Sequence, residues 1–307
     1  MPNYLQNADL AAFGVPNATP DQIQRASAQI DAYTGRREGL IWTPDASGNP
    51  CYMVGLQPSI TLTAATAITP GTNVVVTVAG PTTMIQVGDV YVIDIAAPAV
   101  TEALKVVSIT GNQIVFYQAN FAHAVGAILA GGLVINEKRI MPQNRPITRV
   151  SRTPVANVLS GVGRYGYMRR GDDAIGSIDT YNLLAVMSKF GGPPAWETWT
   201  PQANSIDPQT GDIWVPAGVL LAYYTEVRIW YVAGWTYATL PYEIKQACAN
   251  IVNSETALAG LPGTVQSFKS GDTALTRFQK IGNNVNSLLI DDDTKQLLEP
   301  YRVQVMA

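Results

Sequence analysis

The sequence predicts an α+β protein: a small helical bundle formed by N- and C-terminal helices, with large β-barrel- or β-sandwich-like insertions in the middle. Three observations predict it. Helical periodicity with capping residues is found near the two ends of the chain. From about residue 40 the period changes to two, in short alternating runs punctuated by Gly, Pro, Asn and Asp. Finally, an aromatic, β-branched strand over residues 224–231 leads through Gly234 into a helix opened by Pro241.

Taken in order, Asn7 is positioned to cap a short helix running to Phe13 and stopped by Gly14. A second helix opens at Thr19-Pro20-Asp21-Gln22, with Thr19 at the N-cap, Pro20 at the first helical position and Gln22 completing a capping box. Ile23, Ala26, Ile30 and Tyr33 follow at helical spacing, and Gly35 supplies the stop. Short strands are then expected at 59–63, 73–78, 90–95, 104–109 and 113–117. The turns between them are Pro70-Gly71, Gly80-Pro81, Val87-Gly88-Asp89 and Gly111-Asn112. Strands at such regular spacing make a small barrel or sandwich over 57–136.

Residues 144–155 return to a strand bounded by prolines, and 158–176 form a Gly- and Arg-rich stretch that reads as a mobile loop or an arm touching a neighbour. A hairpin is expected at 206–216, turned by Asp207-Pro208 and Thr210-Gly211. In the aromatic strand, Thr225, Val227, Ile229 and Tyr231 share a core face. Tyr224, Glu226, Arg228 and Trp230 share a mixed face that meets solvent or a partner. Thr239 can cap the next helix, whose buried stripe is Ile244, Ala247, Cys248, Ile251, Val252 and Leu258. A short acid-capped helix over 291–298 precedes Pro300. The organisation is thus 1–56, N-terminal helices and a leading strand; 57–136, a small β-domain; 137–239, a β-rich region with a mobile loop at 157–177; and 240–307, C-terminal helices and a tail.

Only 14% of the 307 residues are charged, which fits either a surface largely covered in an assembly or a β-rich domain with Thr, Ser, Asn and Gln outside, and the formal net charge is −3. An acidic balance argues against a dedicated nucleic-acid binder, because phosphate contacts need concentrated Lys and Arg. No secretory signal and no membrane span are expected, and the two cysteines make neither a disulfide framework nor a metal site. Cys248, on the apolar face of its helix, reads as a buried free thiol.

Catalytic and metal chemistry is poorly provided for, so no enzyme activity, cofactor or metal is expected. The single histidine, His123, has no second histidine with which to pair and is expected to have a structural or a surface role. Asp291-Asp292-Asp293 complements a helix dipole without a cation. Asp172-Asp173, or Glu197 between Trp196 and Trp199, would need a partner carboxylate across one bond. Gly161-Val162-Gly163 lacks the Gly and Lys of a phosphate loop. The cluster Arg164, Tyr165, Tyr167, Arg169 and Arg170 is read as an inter-subunit or partner loop, in preference to a DNA contact.

The order of elements resembles the head-tail connector (adaptor) proteins of tailed bacteriophages. The residues that carry the resemblance are the Thr-Gly hairpin at 206–216, the strand at 224–234, the Pro-initiated helix start at 241–247, Ser270-Gly271-Asp272, and Leu297-Leu298-Glu299-Pro300-Tyr301-Arg302. The helix opened at Thr19 matches loosely, and about half of the chain is covered. Family members are often much shorter, so residues 57–136 stand out as an inserted β-domain. The resemblance implies a structural protein of the virion neck, made in the host cytoplasm. It would assemble with itself as a dodecameric ring beneath the portal protein, extend the DNA channel without binding DNA specifically, and offer a platform to the next neck or tail protein. It also implies portal binding by Leu297, Leu298, Pro300, Tyr301, Arg302, Val303 and Val305, the alternative being a tail packed on its own helix bundle. Residues 265–286, sparse in apolar side chains, are expected to order only on assembly. A second reading is a virion glycan-binding or tail/baseplate β-module, suggested by the β-domain together with Trp196, Trp199 and Trp214.

Overall fold

The computed structural model describes residues 3–141, 146–164, 195–216, 224–259, 267–270, 273–276 and 290–303. It overturns the expectation of a helical bundle carrying β insertions. The protein is mostly β, with 37% strand against 19% helix, three short helices among the described residues and a closed six-stranded barrel. The physical reason lies in the lengths of the two patterns. Helical periodicity is sustained only over Pro20–Thr34 (α1), Tyr242–Ala259 (α2) and Asp292–Leu298 (α3). The alternating Val/Ile/Thr pattern fills most of what lies between, and the turns at Pro70-Gly71 and Gly111-Asn112 close two antiparallel pairs of the barrel described below, Ile60–Ala64 with Gly71–Ala79 and Glu102–Thr110 with Gln113–Ala119.

The chain divides into two compact units, one of Met1–Gly39 with Tyr237–Gln304 and one beginning at Leu40 and running through Thr236. In the first, α1 opens with the predicted capping box: the Thr19 hydroxyl accepts from the Gln22 N–H, and the Gln22 side chain accepts from the Thr19 N–H at 2.9 Å. Gly35 ends the helix in the left-handed region at φ 73°. The helix expected at 7–13 is instead a series of turns. Seven residues fall below the length at which a helix holds by itself, and Asp9 is drawn away to the Tyr237 hydroxyl and, at 3.4 Å, to Lys245. Along α2 the stripe Ile244, Ala247, Cys248, Ile251 and Val252 is fully buried. α1 and α3 both pack against this helix. Within the stretch expected to order only on assembly, Ser267–Ser270 and Thr273–Thr276 pair as an antiparallel hairpin; the rest of it lies outside the described residues.

The second unit begins with a short ribbon, Trp42–Pro44 (β1) with Pro50–Met53 (β2). The barrel follows: Ile60–Ala64 (β3), Gly71–Ala79 (β4), Val90–Ile93 (β5), Glu102–Thr110 (β6), Gln113–Ala119 (β7) and Ile128–Gly131 (β8), closed in the order β3-β4-β7-β6-β5-β8. Alternation sends Val76, Val78, Leu104, Val106, Ile114 and Phe116 inward. Closure leaves no free barrel edge to pair with another chain.

Beyond the barrel, Ile135–Ile140 (β9), Val155–Arg164 (β11), Glu197–Trp199 (β12) and Glu226–Ala233 (β14) form an antiparallel sheet in the order β12-β11-β14-β9. Ile147–Arg149 (β10) pairs with Asp212–Trp214 (β13) in a separate ribbon, pinned by a bidentate Arg149–Asp212 ion pair at 2.6 and 2.9 Å. On one face of the sheet, Val227, Ile229, Tyr231 and Ala233 pack with Val150, Ile213 and Val215. On the other, Trp230 and Val232 pack with Val162, Val90 and Val134. The mixed face of the aromatic strand is therefore covered in part by the protein's own barrel, not left to solvent.

Gly161 and Gly163 serve packing. A Cβ on Gly161 would lie 2.2 Å from the Trp199 indole, and one on Gly163 would lie 2.3 Å from the Tyr224 ring. Each glycine on β11 makes room for an aromatic ring. Gly161→Ala is expected to destabilise this sheet by about 1–3 kcal/mol through overpacking. The check is hydrogen-exchange protection of β11 and β14, which should fall while that of α1 and α2 does not.

Candidate functional site

Strand alternation and one turn build a polar site in the second unit. The turn Val87-Gly88-Asp89 is pressed onto the sheet: a Cβ on Gly88 would lie 2.4 Å from Val162 and 3.0 Å from Trp230, and its φ is +93°. Only glycine meets both conditions. That approach sets Gln86 and Asp89 beside Arg228, whose guanidinium donates to the Gln86 side-chain oxygen. The Gln86 N–H donates to Asp89 Oδ2 at 2.8 Å. Arg228 lies over the Trp196 ring at 5.0 Å and near the Trp230 ring at 5.9 Å, and Arg164 shares Trp196 at 4.6 Å. Such stacking holds a guanidinium plane in place.

Between the turn, strands β3, β5 and β8, and β14 lies a cavity of about 250 Å³, lined by Gln86, Asp89, Tyr91, Asn136, Arg228 and Trp230, among others. Two glycines keep it open. A Cβ on Gly131 would meet the Tyr91 ring at 2.9 Å, and one on Gly132 would meet Ser59 Oγ at 2.2 Å. Burial pushes the Asp89 carboxyl above the usual range, against the Gln86 N–H and the Arg228 charge. Burial, and then the charge of Asp89, raise the Tyr91 hydroxyl as well.

Of the expected partner loop, Arg164 ends β11 and is held at 2.6 Å by Glu226, which also binds Lys138 at 3.2 Å. Tyr165, Tyr167, Arg169 and Arg170 lie outside the described residues, as do Asp172 and Asp173. Arg164 is brought together with Arg228, which sequence reasoning had placed on the mixed face without a role. Its signal was present: a cation alternating with Trp230 on a strand whose opposite face is mostly apolar.

The residues implied in portal binding sit as follows. Leu298 is fully buried within its own unit, Leu297 and Tyr301 are half-buried, and Pro300 and Arg302 are exposed. The Val303 N–H donates to the Thr34 carbonyl at 2.9 Å, and the Tyr301 hydroxyl donates to Glu243 at 3.1 Å. The Arg302 guanidinium lies 5.3 Å from the Tyr33 ring centroid. Val305 lies outside the described residues.

The three tryptophans of the second reading form no common platform. Trp199 is buried in the sheet core, Trp196 is covered by Arg164 and Arg228, and Trp214 is 52% exposed on β13, opposite Ile147.

His123 is buried in the barrel with both ring nitrogens engaged, Nδ1 with Asp94 at 2.8 Å and Nε2 with Glu102 at 2.9 Å. Glu102 also accepts the N–H groups of Asn120 and Phe121. Asp291 caps α3 by accepting from the Thr294 N–H at 2.8 Å. Among the described residues no group of His, Cys, Asp and Glu has the arrangement of a metal site. Cys51 and Cys248 are buried free thiols, both pushed up to about 12, chiefly by burial. No helix among the described residues is long and apolar enough to cross a membrane. No protein-family model matches this chain, and no curated protein matches it either.

Proposed function

We propose that this chain is a structural assembly subunit of the head-tail connector kind, a non-enzymatic component of a phage neck ring that binds a portal protein above and a neck or tail protein below. One observation carries the reading. The segments of the resemblance nearest the C-terminus, the helix opened at Pro241 and Leu297 to Arg302, fold with the helix opened at Thr19 into one unit, while the β-barrel belongs wholly to the other. Exposed apolar side chains such as Ile147, Trp214 and Ile140 add surface that an assembly would cover.

The test is ring formation and co-purification with the cognate portal ring. Because Leu298 is core, the segment is not cut away; its exposed residues Pro300 and Arg302 are replaced together, Pro300→Ala with Arg302→Ala. The expected result is a ring that captures portal, with capture weakened in the doubly substituted chain while its far-ultraviolet circular dichroism is kept. A full-length chain that stays monomeric and does not bind portal overturns the proposal.

A further inference from the structure

We propose that the cavity between the barrel and the sheet binds the ring of a single sugar residue. The Tyr91 side chain lines it at 1% exposure, yet its hydroxyl has no hydrogen-bond partner among the described residues. The hydroxyl opens onto the cavity with no protein partner, so a ligand that bonds it gains about 0.5–1.5 kcal/mol from that bond. Arg228 is the second such group. It is fixed by Gln86, Trp196 and Trp230, but it forms no ion pair among the described residues. Its remaining N–H donors are free to meet oxygen.

The chemistry of the occupant follows from what faces it. Asp89 accepts hydrogen bonds, Arg228 donates them, Asn136 does both, and Tyr91 does both. The carboxylate and the guanidinium offset each other, which disfavours a small anion such as phosphate. An apolar ligand would strand all four groups. A ring of adjacent hydroxyls satisfies donors and acceptors together, and Val90, Val134 and Trp230 offer apolar surface to its C–H face. The volume of about 250 Å³ lies below the range of drug-sized pockets, roughly 300–1,000 Å³, and suits one ring, not a chain. The site does not depend on ring assembly or on a portal.

The experiment is ligand-observed saturation-transfer NMR on the full chain. The probes are the methyl glycosides of glucose, galactose, mannose and N-acetylglucosamine, with inorganic phosphate as a separate arm. At least one glycoside is expected to bind saturably in the millimolar range. Tyr91→Phe, which keeps the ring packing, should weaken it about fivefold by removing one hydrogen bond. Arg228→Gln should weaken it further, and Tyr117→Phe, on the exposed outer face of the barrel, should change nothing. Overturning results are no saturable glycoside binding, binding indifferent to both Tyr91→Phe and Arg228→Gln, or a response to phosphate with none to the sugars.

Discussion

Replacing His123 with alanine is expected to destabilise the barrel by about 3–5 kcal/mol, because it leaves two carboxylates without the cation between them. Both ring nitrogens face a carboxylate oxygen within 2.9 Å, so the ring must donate from both and is held as the imidazolium. The His123 side chain is fully buried, Glu102 nearly so, and Asp94 only partly. The loss should therefore be unequal among the three. Glu102→Gln keeps an oxygen for the N–H groups of Asn120 and Phe121 and should cost less than His123→Ala. Asp94→Asn, in contact with water, should cost least. Amide exchange across β6 and β7 reports the barrel separately from the helical unit and is the measurement to make.

The same cluster sets an acid and an alkaline limit. Burial pulls the His123 pKa down, but the hydrogen bonds to Glu102 and Asp94 outweigh it, and the net shift from 6.5 is upward. Its stabilisation is thus complete below 6.5 and is lost as pH rises through the higher folded value. For Glu102, burial pushes upward but the bonds from His123, Asn120 and Phe121 win, and the net shift from 4.5 is downward. Its stabilisation is complete above 4.5 and is lost as pH falls through the lower folded value. Exchange protection of the barrel should accordingly be greatest between these limits.

The barrel strands were legible because Val, Ile and Thr alternate between Gly-Asp and Gly-Asn turns, and a period of two states which side chains face inward. The cap of α1 was legible for the same local reason. What the sequence did not show was long-range pairing. Nothing local in Val87-Gly88-Asp89 says that this turn is pressed against Trp230, 142 positions from Gln86 to Arg228. Nor does the Ala-rich run around His123 show that Asp94 and Glu102, 29 and 21 residues earlier, close on both of its nitrogens. The proportion of helix was misjudged because the ends, where capping signals are strongest, were allowed to define the class. The glycines of β11 were invisible as packing residues, since their role is the space they leave for Trp199 and Tyr224.

Asp31→Asn is expected to stabilise the helical unit at pH 8 by about 3–4 kcal/mol and to have little effect near pH 4. Asp31 lies on the inner face of α1, 8% exposed, and accepts from the Tyr4 hydroxyl. Burial raises its pKa from 3.8 to about 7; the Tyr4 bond opposes the rise, Glu38 adds to it, and Arg36 lowers it. A carboxyl whose folded pKa is raised binds its proton more tightly in the folded state. It therefore supports the fold below the unfolded value of 3.8, and that support is withdrawn as pH climbs to about 7. Above that, the folded chain holds a charge at a site chosen for a neutral group. Asparagine keeps an oxygen for Tyr4 and cannot ionise, so it removes the alkaline penalty and leaves the acid side nearly unchanged. Exchange protection of α1 and α2, followed from pH 4 to 8 in both proteins, should fall with rising pH in the wild type and stay flatter in the variant. A parallel fall in both would mean that Asp31 is ionised through the whole range, held so by Arg36.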